Sequence, residues 1–305
     1  MVVACAEGMA LTAGLTYLGA PTETAPMSTR KTILVPTDFT KVADCAMNHA
    51  LKLAERVDAG VTLLHIVDKA AHADEARTKL DMEAKRASQW STAVKVETLV
   101  RVGSVYEDIG EAAAEIGAAM IIMGTHGMRG MQFITGSRAL RVITNSSVPF
   151  IVVQERNIKS DGYRDIVVPL DLHKESRHKL SMVADMARYF NSKVHVVVPK
   201  ESDEFLHNQL HNHIRFAGQF LRERGIEHEA HILPEDSDDF VKGVIRYAVK
   251  VDADLIAIVN MLQNSLFGVL GVPNEQEIIT NEPMIPVMCM NPLNNTTSDM
   301  PIWGP

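Results

Sequence analysis

Cysteine is scarce in this chain: three among 305 residues, Cys5, Cys45 and Cys289, far apart and odd in number. That excludes a disulfide framework and a cysteine-built zinc site, and it reads as the reduced thiols of a cytoplasmic protein. Aromatic residues make up only 5%. Outside the N-terminus there is no apolar run of about 18 residues, the length a membrane-crossing helix needs, so no membrane partner is expected. Positive charge is in deficit, with 30 Lys and Arg against 38 Asp and Glu and a net charge of −8. A global basic field for nucleic acid is therefore lacking, and no nucleic-acid partner is expected. What is present is apolar matter. Hydrophobic residues reach 46% and charged residues 22%, enough for sizeable cores and too much for a disordered chain. At roughly 150 residues per domain, the length suggests two domains or one large α/β barrel.

Residues 1–29 differ from the rest. Apolar residues dominate the first 20 positions, and no Lys or Arg precedes Arg30. A secretory signal needs a basic leading region. The segment therefore reads as a disordered or weakly helical extension ahead of a natural start at Met27, with a signal peptide and a membrane-surface helix as the other readings.

From there one pattern is written twice. KTILVPT (31–37) and RDIVVPL (164–170) each run into an aspartate, Asp38 and Asp171, which lie 133 positions apart. Helically spaced apolar residues follow at 41–57 and 174–190, then VTLLHIV (61–67) and KVHVVVP (193–199). Further matched strands come at 94–103 and 226–235, at 118–124 and 253–260, and in the Pro-led closing runs 148–154 and 285–290. Six matches in one order amount to a tandem duplication of a β-α-β-α-β-α-β-α-β unit. Short strands that are apolar on both faces point to a parallel sheet covered by helices, doubly wound by right-handed crossovers. The expected boundaries are 30–155 for the first domain, 156–163 for a linker, 164–291 for the second domain and 292–305 for a tail. The two apolar closing runs would be exposed edges unless they paired with each other.

In such sheets ligands sit beyond the carboxyl ends of the strands, at the point where strand order reverses. There the sequence reads Pro36-Thr37-Asp38, Ile66-Val67-Asp68 and, most distinctively, GTHGMRGMQFITGS from Gly124 to Ser137. Glycines let backbone amides approach an anion closely, and a following helix N-terminus adds a positive dipole. No GK[ST] ends the run, so it is not a P-loop, and it is not the dinucleotide G-x-G-x-x-G. A glycine-rich turn with no ligand explains it about as well when taken alone.

Together, ILVPTD at the first strand, LLHIV at the second and G-x-H-G…G-S after the fourth resemble the universal stress protein family, over nearly all of 30–154 and more weakly over 164–290. The resemblance implies two Rossmann-like domains forming a pseudo-dimer, with ATP, AMP or ADP as ligand and Mg2+ accompanying the phosphates. ATP-binding members carry G-x-x-G, nine residues, then G-S/T; here eight residues separate Gly127 from Gly136. The resemblance assigns Pro36, Thr37 and Asp38 to the ribose and adenine wall. It gives the Ile66 backbone to the adenine edge, Gly124, His126 and Gly127 to the ribose and α-phosphate, and Gly136 and Ser137 to the distal phosphates. Met123 is a candidate apolar wall, Gly130 can absorb the shortened spacer, and Arg138 can add charge. The second half has Asn260-Met261-Leu262-Gln263 where the loop should be and is expected to serve as a structural partner. The rival functions are a nucleotide-independent scaffold in the stress response and a slow ATP hydrolase. No catalytic residue is assigned, and further homo-oligomerisation is left open.

Histidines also invite a metal reading. His207 and His211 are four apart in a predicted helix without a third ligand, and His228 and His231 straddle a strand, so no metal site is expected.

Overall fold

The computed structural model describes residues 31–125, 136–144, 146–170, 176–259, 272–290 and 303. The N-terminal extension, His126, Gly127, Gly130, Asp171 and the segment 260–263 lie outside the described residues.

The first half runs β1 (Thr32–Pro36), α1 (Lys41–Val57), β2 (Gly60–Val67), a single 3-10 turn, α2 (Ala73–Trp90), β3 (Val96–Val102), α3 (Asp108–Glu115), β4 (Ala118–Gly124), α4 (Gly136–Thr144) and β5 (Phe150–Val153). The second repeats it as β6 (Asp165–Pro169), α5 (Ser176–Phe190), β7 (Lys193–Val198), α6 (Glu204–Glu223), β8 (His228–Ile232), α7 (Phe240–Lys250), β9 (Leu255–Val259), α8 (Val272–Ile279) and β10 (Val287–Met290). All ten strands form one sheet in the order β3-β2-β1-β4-β5-β10-β9-β6-β7-β8. Every pairing within a half is parallel. The closing strands pair antiparallel, Val287 opposite Val152 and Cys289 opposite Phe150, so each hides the other's edge.

The duplication is legible at single hydrogen bonds. Thr37 N donates to the Leu64 carbonyl at 2.8 Å, and 133 positions later Leu170 N donates to that of Val197 at 2.8 Å. Helices α1 and α5 are followed by left-handed residues at the same spacing, Asp58 (φ 52°) and Asn191 (φ 51°). Asp and Asn are the side-chain-bearing residues that tolerate this conformation best, which makes them natural helix stops.

Buried strands feed a core on each face of the sheet. Ile33 and Val35 point to the layer of α1, α2, α5 and α6, and Leu34 between them to that of α3, α4, α7 and α8. Both cores cross the seam between the halves. Polar bonds reinforce it. Gln154 Nε2 donates to the Asn281 carbonyl at 2.9 Å, and both residues are buried. His49 on α1 bonds the Tyr163 hydroxyl at 2.8 Å and the Arg156 carbonyl at 3.0 Å, docking the segment that joins the halves. Tyr163 is itself fully buried, edge-on to Phe190. Among the described residues, no helix is long and apolar enough to cross a membrane.

Candidate functional site

In the first half, strand order reverses between β1 and β4, which are neighbours in the sheet although β2 and β3 come between them in the chain. The crevice beyond their carboxyl ends is where the fold makes room for a ligand. Three segments meet there: Pro36-Thr37-Asp38 after β1, the end of β2 at His65–Val67, and Gly124-Thr125 after β4.

Hydrogen bonds hold the β1 corner rigid. Thr37 N extends the ladder to Leu64, and His65 Nδ1 donates back to the Thr37 carbonyl at 2.7 Å. That bond fixes the imidazole tautomer, because a carbonyl oxygen can only accept. Thr37 Oγ1 accepts from Phe39 N at 3.0 Å and supports a left-handed turn at Phe39 (φ 65°), whose ring lies 4.6 Å from that of His65. Asp38 Oδ1 accepts from Thr40 N at 3.1 Å and Thr40 Oγ1 at 2.6 Å. Thr40 caps α1 by accepting from Ala43 N. Asp38 thus buttresses the helix cap from outside the helix. It remains partly exposed, and the contacts given to Oδ1 leave Oδ2 for a further donor.

The β4 side is shaped by one glycine. A Cβ on Gly124 would sit 2.7 Å from Val42 Cγ1 and 2.9 Å from the Val42 carbonyl oxygen, so α1 packs directly against bare backbone there. The next residue, Thr125, is buried, and its N donates to the Val153 carbonyl at 2.8 Å. Helix α4 then begins at Gly136, with Ser137 and Arg138 in its first turn. Its first backbone N–H groups have no partner within the helix, the ordinary condition of an anion-binding terminus.

The positions predicted from sequence sort accordingly. Pro36, Thr37, Asp38, Ile66 and Gly124 stand at the strand ends beside the reversal point and are partly exposed. Met123 is 1% exposed and packs in the core with Leu34, Leu64 and Ile121. The side chains of Ser137 and Arg138 lie outside the described residues. Arg141, one turn on, lies with its guanidinium 5.0 Å over the Tyr106 ring and 3.9 Å from Glu107. The Phe39–His65 pair was missed as a unit. Its signal was present in the histidine of LLHIV, but nothing in the sequence joins that histidine to Thr37.

A profile of the universal stress protein family matches residues 29–154. A universal stress protein of Methanocaldococcus jannaschii is 31% identical over 142 residues, covering 41% of this chain and 82% of the relative. The chain belongs to the universal stress protein family. Universal stress protein G of Escherichia coli O157:H7 is 28% identical over 141 residues, covering 41% of this chain and 99% of its own. Among solved structures, a universal stress protein from Archaeoglobus fulgidus DSM 4304 superposes with a TM-score of 0.65 over 85% of this chain and 96% of its own, at 18% identity. That last likeness concerns the fold, and it spans both halves.

The second half treats the equivalent corner differently. Lys179, on α5, is buried and donates its ammonium to the Pro169 carbonyl at 2.7 Å, at the very end of β6. At the 133-residue offset its counterpart in the first half is Ala46, which brings no charge to β1.

Proposed function

We propose that the first half binds an adenine nucleotide, ATP in the first instance, at the strand-order reversal between β1 and β4, with the second half as its built-in partner. The observation that supports this most is the convergence of a partly exposed carboxylate, Asp38, and a close-approach glycine, Gly124, on the two sides of that reversal. Asp38 Oδ2 is suited to accept a ribose hydroxyl, and His65 and Phe39 offer a flat surface beside the Ile66 backbone. Gly124, His126, Gly127 and Gly130 are the glycine-rich stretch of the sequence assigned to the phosphates, and Gly136 and Ser137 open the helix whose amides suit the distal phosphates. Mg2+ would ride on the phosphates. The reading assigns no residue to catalysis, so bound ATP is a regulatory or stabilising ligand and turnover is at most slow. It also places the protein in the cytoplasm, where buried thiols such as Cys45 and Cys289 stay reduced.

The test is calorimetric titration of the full chain with ATP and Mg2+, repeated with AMP and with Gly127→Asp. One ATP per chain, abolished by Gly127→Asp in a protein that still folds, is the expected result. Two per chain would contradict a silent second half. No binding would overturn the reading and favour a nucleotide-independent scaffold.

A further inference from the structure

Away from the nucleotide crevice, along β7 and β8 of the second half, ligating side chains meet beneath α7. Register brings them there. Asp165 opens β6 and Lys193 opens β7 beside it. On the next pair, His195 stands opposite Glu229 and Val197 opposite His231. Residues two apart on a strand share a face, so Glu229 and His231 project to the same side. Tyr247 of α7 closes over them, with its ring 5.9 Å from that of His195 and 5.1 Å from that of His231.

The contacts leave a specific gap. His195, 3% exposed, lies with Nε2 2.9 Å from Asp165 Oδ1. Its Nδ1 lies 2.8 Å from Glu229 Oε1 and 3.2 Å from the Tyr247 hydroxyl. His231 Nε2 approaches the same oxygen at 3.1 Å, is closed off from solvent, and makes no hydrogen bond. His195 Nδ1, Glu229 Oε1 and His231 Nε2 thus converge, and the last is left without a partner. A metal ion serves all three.

We propose that His195, Glu229 and His231 form a divalent transition-metal site, of a kind that suits Zn2+, with solvent as the fourth ligand. One ligand atom of each residue lies within 4.8 Å of those of the other two. Ligands around tetrahedral zinc sit about 3.4 Å apart, so the gathering needs only small adjustments. Two imidazoles and one carboxylate select zinc and its neighbours over Mg2+ or Ca2+, which prefer oxygen. Supporting bonds are in place. Asp165 orients His195, while Lys193 Nζ holds Glu229 Oε2 at 2.6 Å and the Tyr247 hydroxyl reaches Glu229 Oε1 at 3.3 Å. Glu229 and His231 are partly exposed, which gives the ion a way in.

The first half shows that the fold does not require this cluster. At the same 133-residue offset, Asp165 and His195 correspond to Thr32 and Thr62, whose hydroxyls bond each other at 3.0 Å. The offset is 132 along β3 and β8, as Val61 N→Lys95 O and Val194 N→Glu227 O show. His231 there corresponds to Leu99. The same strands pair in the same register without any of the ligating nitrogens.

The experiment is a titration of the metal-stripped full chain with Zn2+ alone, followed calorimetrically, and with Co2+, followed by visible absorption. The wild type is compared with His231→Asn, Glu229→Gln and Asp165→Asn, and with a His207→Asn/His211→Asn control, each checked for native circular dichroism. Expected are a tetrahedral Co2+ band, and Zn2+ affinity reduced at least tenfold by His231→Asn and by Glu229→Gln. Asp165→Asn should weaken it by about tenfold to a hundredfold, and the control should leave it unchanged. No zinc binding, or binding lost only in the α6 control, would overturn the proposal. Because His231 is partly exposed, its variant tests the site without emptying the core.

Discussion

His49 makes stability fall as pH drops through a range where few other buried groups change charge. Its ring is 1% exposed between α1 and the joining segment. The Arg156 carbonyl can only accept, so Nε2 carries the hydrogen, and Nδ1 accepts from the Tyr163 hydroxyl. Burial is the largest influence and holds the imidazole down at about 4 from its usual 6.5; the Arg156 carbonyl pulls it upward and the Arg156 charge lowers it again. The folded-state value lies below the unfolded one, so between them the unfolded chain binds a proton that the folded chain refuses. Stability is therefore intact above 6.5, falls as pH drops below it, and levels off near 4. Converting the shift at about 1.4 kcal/mol per unit gives a loss of about 2 kcal/mol between pH 7 and pH 5, and about 3 kcal/mol in all. The assay is urea unfolding of wild type and His49→Gln at pH 7 and pH 5. Glutamine keeps a donor and an acceptor but cannot titrate. The variant is expected to be somewhat weaker at pH 7 and to lose about 2 kcal/mol less than wild type on acidification. Other histidines contribute equally to both proteins and cancel. Equal acid losses would refute the reasoning.

Two further substitutions probe the packing that frames the site. Gly124→Ala forces a methyl group against the Val42 carbonyl, and overpacking of this kind costs about 2 kcal/mol, read as a lower urea midpoint at unchanged slope. Asn281→Ala strips Nδ2 from the Ile278 and Ile285 carbonyls, each 2.8 Å away, and Oδ1 from Ile285 N at 2.8 Å. Leaving those buried groups unpaired should cost about 3 kcal/mol, with thermal unfolding as the readout.

The fold was legible because its signals are local and repeated. Apolar runs such as ILV and IVV announce buried parallel strands, and the second copy removes the ambiguity that one short run would carry. A doubly wound parallel sheet followed from general rules for α/β folds, which is why the strand-end residues Pro36-Thr37-Asp38 and Gly124 could be singled out before the strand order was known. What stayed hidden depends on contacts between distant segments. Met123 reads as a wall residue from its position next to Gly124, but alternation along β4 turns its side chain into the core. The linker 156–163 reads as polar, yet Tyr163 is its most deeply buried member, because its partners His49 and Phe190 come from helices on either side. The metal cluster escaped for the same reason. Spacing along one strand separates His228 from His231, whereas His231 finds its partner two positions back at Glu229 and across the ladder at His195.

Duplication explains why the halves can differ in chemistry while sharing a sheet. Backbone hydrogen bonds, left-handed helix stops and buried strands recur at nearly the same offset, so each half meets the demands of the fold with the same elements. Side chains not needed for those demands are free to diverge, and they diverge in two places. At the carboxyl end of the first strand, Ala46 gives way to Lys179, whose ammonium satisfies the Pro169 carbonyl from inside the chain. A buried cation already committed there leaves β6 with less use for an outside ligand than β1 has. Near the amino end, a threonine pair gives way to an aspartate–histidine pair with Glu229 beside it. One half thus keeps the glycine-rich sequence after its fourth strand, and the other carries the imidazole ligands, while the carboxylate of Glu229 has its counterpart in Glu97. Nucleotide and metal would then occupy opposite halves. Loss of one ligand by mutation should leave the affinity for the other unchanged.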